Sequence, residues 1–522
     1  MSTQEFSKTG AVDVTGVRRA TGVASAVGLI RSRRRAAEHA WAVDPARTTA
    51  YAALRAVVHG ESFTEWVLPA LMRRHGVYGG DAAWTTELTY GTLRLRGRYD
   101  RIIAIAAAGR LGEPDDEVLD VLRLGCHQLL AMQVPAGAAV SETVALAHAE
   151  LGQARSQSVA AVLRRVAERD LDAWLERIEA AAASEDERLG RIHSHPQWIV
   201  RAFRQGLGAA TEELTALLEA NNAPAPITLA VRPGLVDLVD LPQTTRGRYA
   251  PTARVLQAGD PGALTMVKEG LVGVQDEGSQ LLTLAFATAP ITGPDRTWLD
   301  LCAGPGGTAA LLASWLAART GSPLHEEVPE PGEAEAGHGQ DRRRRTRRLV
   351  ANELFQQRSD QVRAALRAIP GSIDVTVRTG DGRLVGGHEP AAYDRVLVDA
   401  PCTGLGALRR HPEAKWRRST ADLARLAALQ RELTLSAIAA TRVGGMIGYL
   451  ACSPHVAETR FVVSDVIKRA AAAGTPVAVV DAVEVLDRVA VTELADQQGP
   501  YVQLWPHRHG TDAVFLALLR RT

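Results

Sequence analysis

The sequence predicts two architectures in one chain: an all-α segment, then an open, mostly parallel α/β sheet. Three observations predict it. Apolar residues recur at helical spacing from Asp44-Pro45 to about Asp170, with no strand pattern between them. From about Gly278 to Thr522, short apolar runs alternate with helical stretches, the pattern of strands joined by crossover helices. Finally, 522 residues exceed one ordinary domain and suffice for about three.

The elements follow in order. Residues 1–44 contain the basic run Arg31-Ser32-Arg33-Arg34-Arg35 and little periodicity, so they read as a disordered, solvated tail, with an RNA-contacting arm as the alternative. Residues 45–170 carry the helices. Ala50, Leu54 and Val57-Val58 mark one; Val118, Val121-Leu122, Gly125 and Leu129-Leu130 mark another. Proline supplies no helical N–H, so Val134-Pro135 should end that helix, and Ser141-Glu142-Thr143 should open the next. Val159, Val162-Leu163 and Val166 mark one more. Residues 171–277 read as a helical connector to about Asn222, then a small mixed α/β subdomain with a strand at Ile227–Val231.

Residues 278–522 hold seven candidate strands: Trp298–Leu301, Leu349–Ala351, Ile373–Val377, Arg395–Val398, Met446–Leu450, Val477–Val480 and Ala513–Leu518. Residues 321–346 turn from acidic and Pro/Gly-rich to the run Arg342–Arg345, a low-complexity insertion expected to be disordered.

Formal charge is +1, from 60 basic and 59 acidic residues, so only local patches can speak for nucleic acid. Four cysteines make neither a disulfide framework nor a paired metal motif. No apolar run reaches a membrane span and no signal-peptide core opens the chain. The expectation is a soluble cytoplasmic protein with reduced thiols and no metal.

The segment Asp300-Leu301-Cys302-Ala303-Gly304-Pro305-Gly306-Gly307-Thr308 follows a strand and opens a helix. Glycines there let the backbone approach a ligand closely. The loop lacks both the Gly-Lys-Ser/Thr of phosphate loops and the dinucleotide fingerprint. Acids end the next strands. Glu353 can accept two ribose hydroxyls, Asp381 can meet an adenine amino group, and Asp399 follows the fourth strand. Loop and acids in this order point to an adenosyl cofactor.

Two thiols stand after two strands: Cys402 in Asp399-Ala400-Pro401-Cys402-Thr403-Gly404, and Cys452 in Ala451-Cys452-Ser453-Pro454. Strand ends of an open sheet face its ligand crevice. C5 of a pyrimidine is a poor nucleophile, but a thiolate added at C6 turns the ring into an enamine that is nucleophilic at C5. Cys452 precedes a helical run from Val456 to Val466, whose N-terminus should favour the thiolate. Cys126 reads as an inert core thiol.

These residues resemble the Sun/RsmB (Fmu) family of 16S ribosomal RNA cytosine-C5 methyltransferases. Asp300–Gly307 is similar to its cofactor loop, and Asp399–Gly406 with Arg409–Trp416 to its first cysteine motif. Ala451–Thr459 is similar to its second, and His509–Ala513 to its closing strand entry. Glu87–Thr92 and Ala161–Arg165 resemble the NusB-like RNA-binding domain of the family. The resemblance implies a NusB-like helical domain and a Rossmann-like class I methyltransferase domain. It implies S-adenosylmethionine held by Cys302–Thr308, Glu353, Asp381 and Asp399. Cys452 would be the nucleophile and Cys402 would assist product release, with Asp399 on the N3 side of the base. The family's namesake target is cytosine 967 of 16S rRNA. The expected partner is that RNA or a partly assembled small subunit, met by a monomer.

Two departures stand out. Thr308 occupies the place of a usual Lys, and Ala451 that of a usual Thr; a lost hydroxyl costs about 1 kcal/mol when it removes one hydrogen bond.

Basic residues cluster twice. Arg94 and Arg96 follow Tyr90-Gly91; Arg409, Arg410, Lys415 and Arg417 surround His411 and Trp416. Cations hold phosphates and aromatics stack on unpaired bases, so both clusters are candidate RNA contacts. Two other readings stay open: a DNA cytosine-C5 methyltransferase, in which Cys402 would attack, and a non-catalytic RNA-binding assembly factor.

Overall fold

The computed structural model describes residues 43–60, 62–109, 115–236, 241–320, 347–495, 497 and 499–522. The 321–346 insertion and nearly all of the expected tail lie outside the described residues. The chain divides into two compact units, the first ending at Ser194 and the second running from His195 to Thr522.

The first unit is all helix among its described residues. Asp44 caps the helix Pro45–Val58, accepting from the Ala46 N–H at 3.0 Å. A proline at the first helical position costs no hydrogen bond there. The helix Asp116–Leu130 stops before Val134-Pro135, as the sequence predicts. The next helix starts at Ala136, earlier than expected, because Pro135 serves as its N-cap. Ser141 lies inside that helix and its hydroxyl donates back to the Ala138 carbonyl. The unit extends past residue 170 because the helix Leu171–Ala180 buries Trp174 and Ile178 in the same core as Leu54, Tyr99 and Leu163.

The second unit begins with the helices Gln197–Leu207 and Leu214–Asn222. A small antiparallel sheet follows: β1 (Thr228–Val231), β2 (Thr244–Arg246), β3 (Ala253–Leu256) and β4 (Val272–Val274), in the order β2-β3-β1-β4. The large sheet holds β5 (Thr297–Asp300), β6 (Arg347–Glu353), β7 (Ile373–Thr379), β8 (Tyr393–Asp399), β9 (Thr441–Ala451), β10 (Val477–Val480), β11 (Val502–Gln503) and β12 (Phe515–Arg521). Its order is β10-β12-β9-β8-β5-β6-β7, with β11 beside β12. β6, β7, β8 and β9 run parallel to β5 or to one another. β12 is antiparallel to both β9 and β10. All seven predicted strands are present; the two-residue β11 carries no sequence signal. Buried on both faces, β8 reads as one apolar run, Val396-Leu397-Val398, as central parallel strands do.

The strand order reverses between β5 and β8. Ligands of open α/β sheets bind at the carboxyl ends beside such a switch point. No helix among the described residues is long and apolar enough to cross a membrane.

Candidate active site

β8 and β9 are parallel neighbours with Asp399 opposite Leu450, so the two cysteine loops leave adjacent strand ends. Main-chain bonds tie them together. Ala400 N donates to Leu450 O (2.9 Å), Gly406 N to Cys452 O (3.0 Å), and Ala513 N to Gly406 O (2.9 Å). Gly406 is held so closely that a Cβ would meet Ala513 O at 2.0 Å, so only glycine fits. The Cys402 Sγ donates to the Cys452 carbonyl at 3.5 Å.

Both thiols are half-buried. Burial raises the pKa of each. For Cys402 the carboxylates of Glu458 and Asp399 add to the rise. For Cys452 the additions come from Asp512, the Cys402 thiol, Asp276 and Asp399. The expected helix effect does not prevail at Cys452. A short turn, Val456–Glu458, comes first, and the α-helix begins only at Arg460. The thiol thus lies beyond the first turn, where the dipole acts, and meets acids instead.

The cofactor loop and its acids converge at the ends of β5, β6 and β8. Asp300 is fully buried, and neither carboxylate oxygen has a well-formed hydrogen bond. Burial and then the charge of Asp399 push its carboxyl well above the usual range, with partial relief from the Cys302 backbone amide. Burial pushes Asp399 up to about 6, against a hydrogen bond from Thr308. Glu353 accepts from Gly304 N (3.0 Å) and Phe355 N (3.2 Å). Asp381 is tied to Arg383 at 2.6 Å, and that bond lowers its pKa. Cys302 packs against the sheet core, and burial, then Asp300, pushes its thiol up. Ala303 and Gly306 are buried, Gly304 and Gly307 half-buried, and Pro305 exposed. Gly306 has φ 95°, and a Cβ there would meet Val362 Cα at 2.9 Å. Its glycine is therefore required by the helix Gln356–Ala365 packed against the loop.

Thr308, in the place of the usual Lys, accepts from Gln275 Nε2 at 3.3 Å and bonds Asp399.

The basic stretch after Cys402 is mostly internal. Arg410 bridges Asp276 (2.7 Å) and Asp512 (3.1 Å). Arg409 donates to Gly510 O at 2.8 Å, and the fully buried Lys415 to Asn222 Oδ1 at 2.6 Å. Trp416 and Arg417 are half-buried on the short helix Ala414–Arg417. In the first unit Arg94 is buried, 3.7 Å from Glu87, and Arg96 lies 3.9 Å from Asp100.

Sequence reasoning assigned no role to Asp276, Asp512, Gln430 or Glu458. Each is an ordinary polar residue along the chain and gains meaning only when remote segments meet.

Residues 337–520 match the family described as 16S rRNA methyltransferase RsmB/F, and residues 44–168 match the NusB family. A Vibrio cholerae "Ribosomal RNA small subunit methyltransferase B" is 30% identical over 435 residues, covering 81% of this chain and 89% of that protein. The chain belongs to the RsmB/F family of 16S rRNA methyltransferases. Within reach of this family, a Mycobacterium tuberculosis protein named "Putative methyltransferase Rv1407" is 44% identical over 485 residues, covering 92% of this chain and 97% of its own. The crystal structure of PH0851 shares the fold, with a TM-score of 0.68 at 19% identity, over 92% of this chain and 99% of that one. The RsmB/F match includes both cysteine loops, Glu353, Asp381 and the acid-bearing end of β8. The NusB match covers most of the helical unit, including Arg94 and Arg96.

Proposed function

We propose that this RsmB/F-family chain transfers a methyl group from S-adenosylmethionine to C5 of a cytosine in 16S rRNA, through a covalent adduct on Cys452. The observation that carries the reading is the pairing of two thiol loops on adjacent strand ends, with Asp399 at the end of the strand that leads to the first.

The residues fit the cofactor. A sulfonium and an ammonium group are both cationic, and the carboxyl end of the sheet offers acids, of which Asp300 is buried without a well-formed hydrogen bond. Cys302–Thr308 and Asp300 would line the methionine part, Glu353 the ribose and Asp381 the adenine. When bound, the cofactor supplies an electrophilic methyl group to C5.

The chain's own residues do the rest. The Cys452 sulfur bonds to C6 and the C5–C6 π pair moves towards C5. Asp399 supports the N3 side of the ring. The Cys452 thiol first gives its proton to solvent, and after C5 has been methylated a solvent base takes the C5 proton. The C5–H electron pair then restores the C5–C6 double bond, and the sulfur leaves C6 with the pair of the broken sulfur–C6 bond. Cys402, bonded to the Cys452 carbonyl, assists this release. The target cytosine must be unstacked to reach the thiols. Arg417 and Trp416 are proposed to meet RNA beside the site, with Arg409, Arg410 and Lys415 framing that surface. Arg94 and Arg96 are proposed to shape an RNA-facing part of the helical unit. Cytosine 967 is the proposed nucleotide, and the chain is proposed to act as a monomer in the cytoplasm.

The test is transfer of labelled methyl to unmodified 16S rRNA by wild type, Cys402→Ala and Cys452→Ala. Cys452→Ala should lose transfer by at least about a thousandfold, as loss of a covalent nucleophile does. Cys402→Ala should accumulate a gel-stable protein–RNA adduct. Normal turnover by Cys452→Ala would reject this assignment of the thiols.

A further inference from the structure

The fully buried Glu458 sits between the two cysteine loops. Its Oε1 accepts from Thr403 N (2.8 Å) and Gln430 Nε2 (3.2 Å). Its Oε2 accepts from Thr403 Oγ1 (2.5 Å) and Ser453 Oγ (2.6 Å). Thr403 follows Cys402, and Ser453 follows Cys452. Gln430, on the helix Thr420–Ala440, also donates to Pro401 O at 3.0 Å. The Tyr449 hydroxyl fixes the Glu458 backbone by donating to its carbonyl at 2.6 Å.

Four uncharged donors thus hold one carboxylate. Such donors solvate a buried charge without neutralising it, so its field still acts on its neighbours. A buried carboxylate is costly unless its oxygens are hydrogen-bonded, and those of Glu458 are satisfied only when both loops are in place. Removing either loop would strand the carboxylate.

We propose that Glu458 is a positioning residue that locks the two thiol loops to each other and holds Cys402 as a neutral thiol that donates to the Cys452 carbonyl. This rests on the assignment of Cys452 as nucleophile. A neutral Cys402 does not compete for C6. It also keeps the S–H that donates to the Cys452 carbonyl, and that bond would be lost on ionisation. The other titratable groups facing Cys402 are Asp399 at the end of its own strand, the Cys452 thiol, and the buried Tyr449 phenol on β9. Glu458 leads the charged contributors to the upward shift of Cys402 and is absent from those acting on Cys452. Its charge therefore bears on Cys402 and not on Cys452, which burial and Asp512 raise in turn.

The test reads thiol reactivity and needs no RNA. Full-length wild type, Glu458→Gln and Thr403→Val are alkylated with iodoacetamide from pH 7 to 10, and each cysteine is followed by peptide mass spectrometry. Glu458→Gln removes the charge; Thr403→Val weakens the clamp and keeps it. Glu458→Gln should raise Cys402 alkylation at pH 8 about tenfold, as a one-unit fall in pKa does, with Cys452 changed less than threefold. Thr403→Val should change Cys402 less than threefold. Equal gains in both variants would mean simple loosening, and no gain in folded Glu458→Gln would remove the charge effect; either overturns the proposal. Should Glu458→Gln not fold, Glu458→Asp carries the test. It keeps the charge, so a tenfold rise in Cys402 reactivity there would overturn the proposal and a change below threefold would support it. The methyl-transfer assay with Cys452→Ala judges the nucleophile separately.

Discussion

Two regions of the molecule bury carboxylates, and they do so in opposite ways. In the helical unit Asp120 is fully buried and faces two guanidinium groups, Arg123 at 2.7 Å and Arg55 at 3.1 Å, with the His59 ring at 3.6 Å. Arg123 in turn meets Asp100 at 2.6 Å. At the sheet end Asp300 is equally buried, yet its oxygens have no well-formed bond and its acidic neighbour Asp399 repels its charge. A paired buried acid is an element of architecture. An unpaired one destabilises the free protein, and a site that binds a cation is where such a cost is offset. The difference separates structural charge from candidate binding charge without any appeal to sequence motifs.

The comparison can be broken most directly by removing one acid from each region. Asp120→Ala should cost about 3 kcal/mol of stability in urea unfolding, because it removes one of the two carboxylates that hold the buried Arg123. Asp300→Asn should cost less than about 1 kcal/mol or even stabilise, while S-adenosylmethionine affinity by calorimetry falls more than tenfold, about 1.4 kcal/mol. An Asp300→Asn loss as large as that of Asp120→Ala would show that both acids are structural.

Much of this was legible along the chain. Strands β5 to β10 and β12 show as short apolar runs, and the candidate acids and thiols lie at or within a few residues of strand ends. What was not legible comes from contacts between remote segments. Thr403 and Glu458 are 55 residues apart, and Asp512 and Asp276 are 236 apart. The basic stretch after Cys402 shows the same limit. Read along the sequence, Arg410 is a free phosphate ligand; in the fold it closes a pair of acids delivered by β4 and β12. The onset of the helix after Cys452 was misplaced by four residues because Val456–Glu458 has helical composition but closes a tight turn, in which His455 Nδ1 accepts from Ala457 N at 3.1 Å.

Asp399 gives a pH-resolved version of the comparison. Its folded pKa is raised to about 6 from 3.8. Below the unfolded value both states hold the proton, so the group has no net effect on the pH slope. As pH rises through 3.8 the unfolded chain releases its proton first, and stability falls until the folded group ionises near 6. Asp399→Asn removes this loss. The variant should therefore gain on wild type between about pH 4 and pH 6.5, reaching about 2–3 kcal/mol at neutral pH. Unfolding curves at pH 4, 5, 6 and 7.5 measure it. A stability difference that does not vary with pH would mean that Asp399 has no raised pKa in the folded protein.

The smallest effect is expected at Ala451, and it sharpens the comparison by asking whether a hydroxyl or the acids set the environment of Cys452. Ala451 is fully buried at the end of β9, opposite Phe515 of β12. Restoring the usual residue with Ala451→Thr adds a methyl and a hydroxyl to a closed core, at about 1 kcal/mol of overpacking. One added hydrogen bond is worth about 1 kcal/mol, which bounds the change in kcat at less than tenfold. The acids are different in kind, since their charges act on the thiol through a poorly screening interior. If Ala451→Thr raised kcat by more than tenfold, the missing hydroxyl would outrank Asp512 and Asp276 as the determinant of Cys452 reactivity. With a change below that bound, the field of the acids is the term that any engineered gain in activity must address.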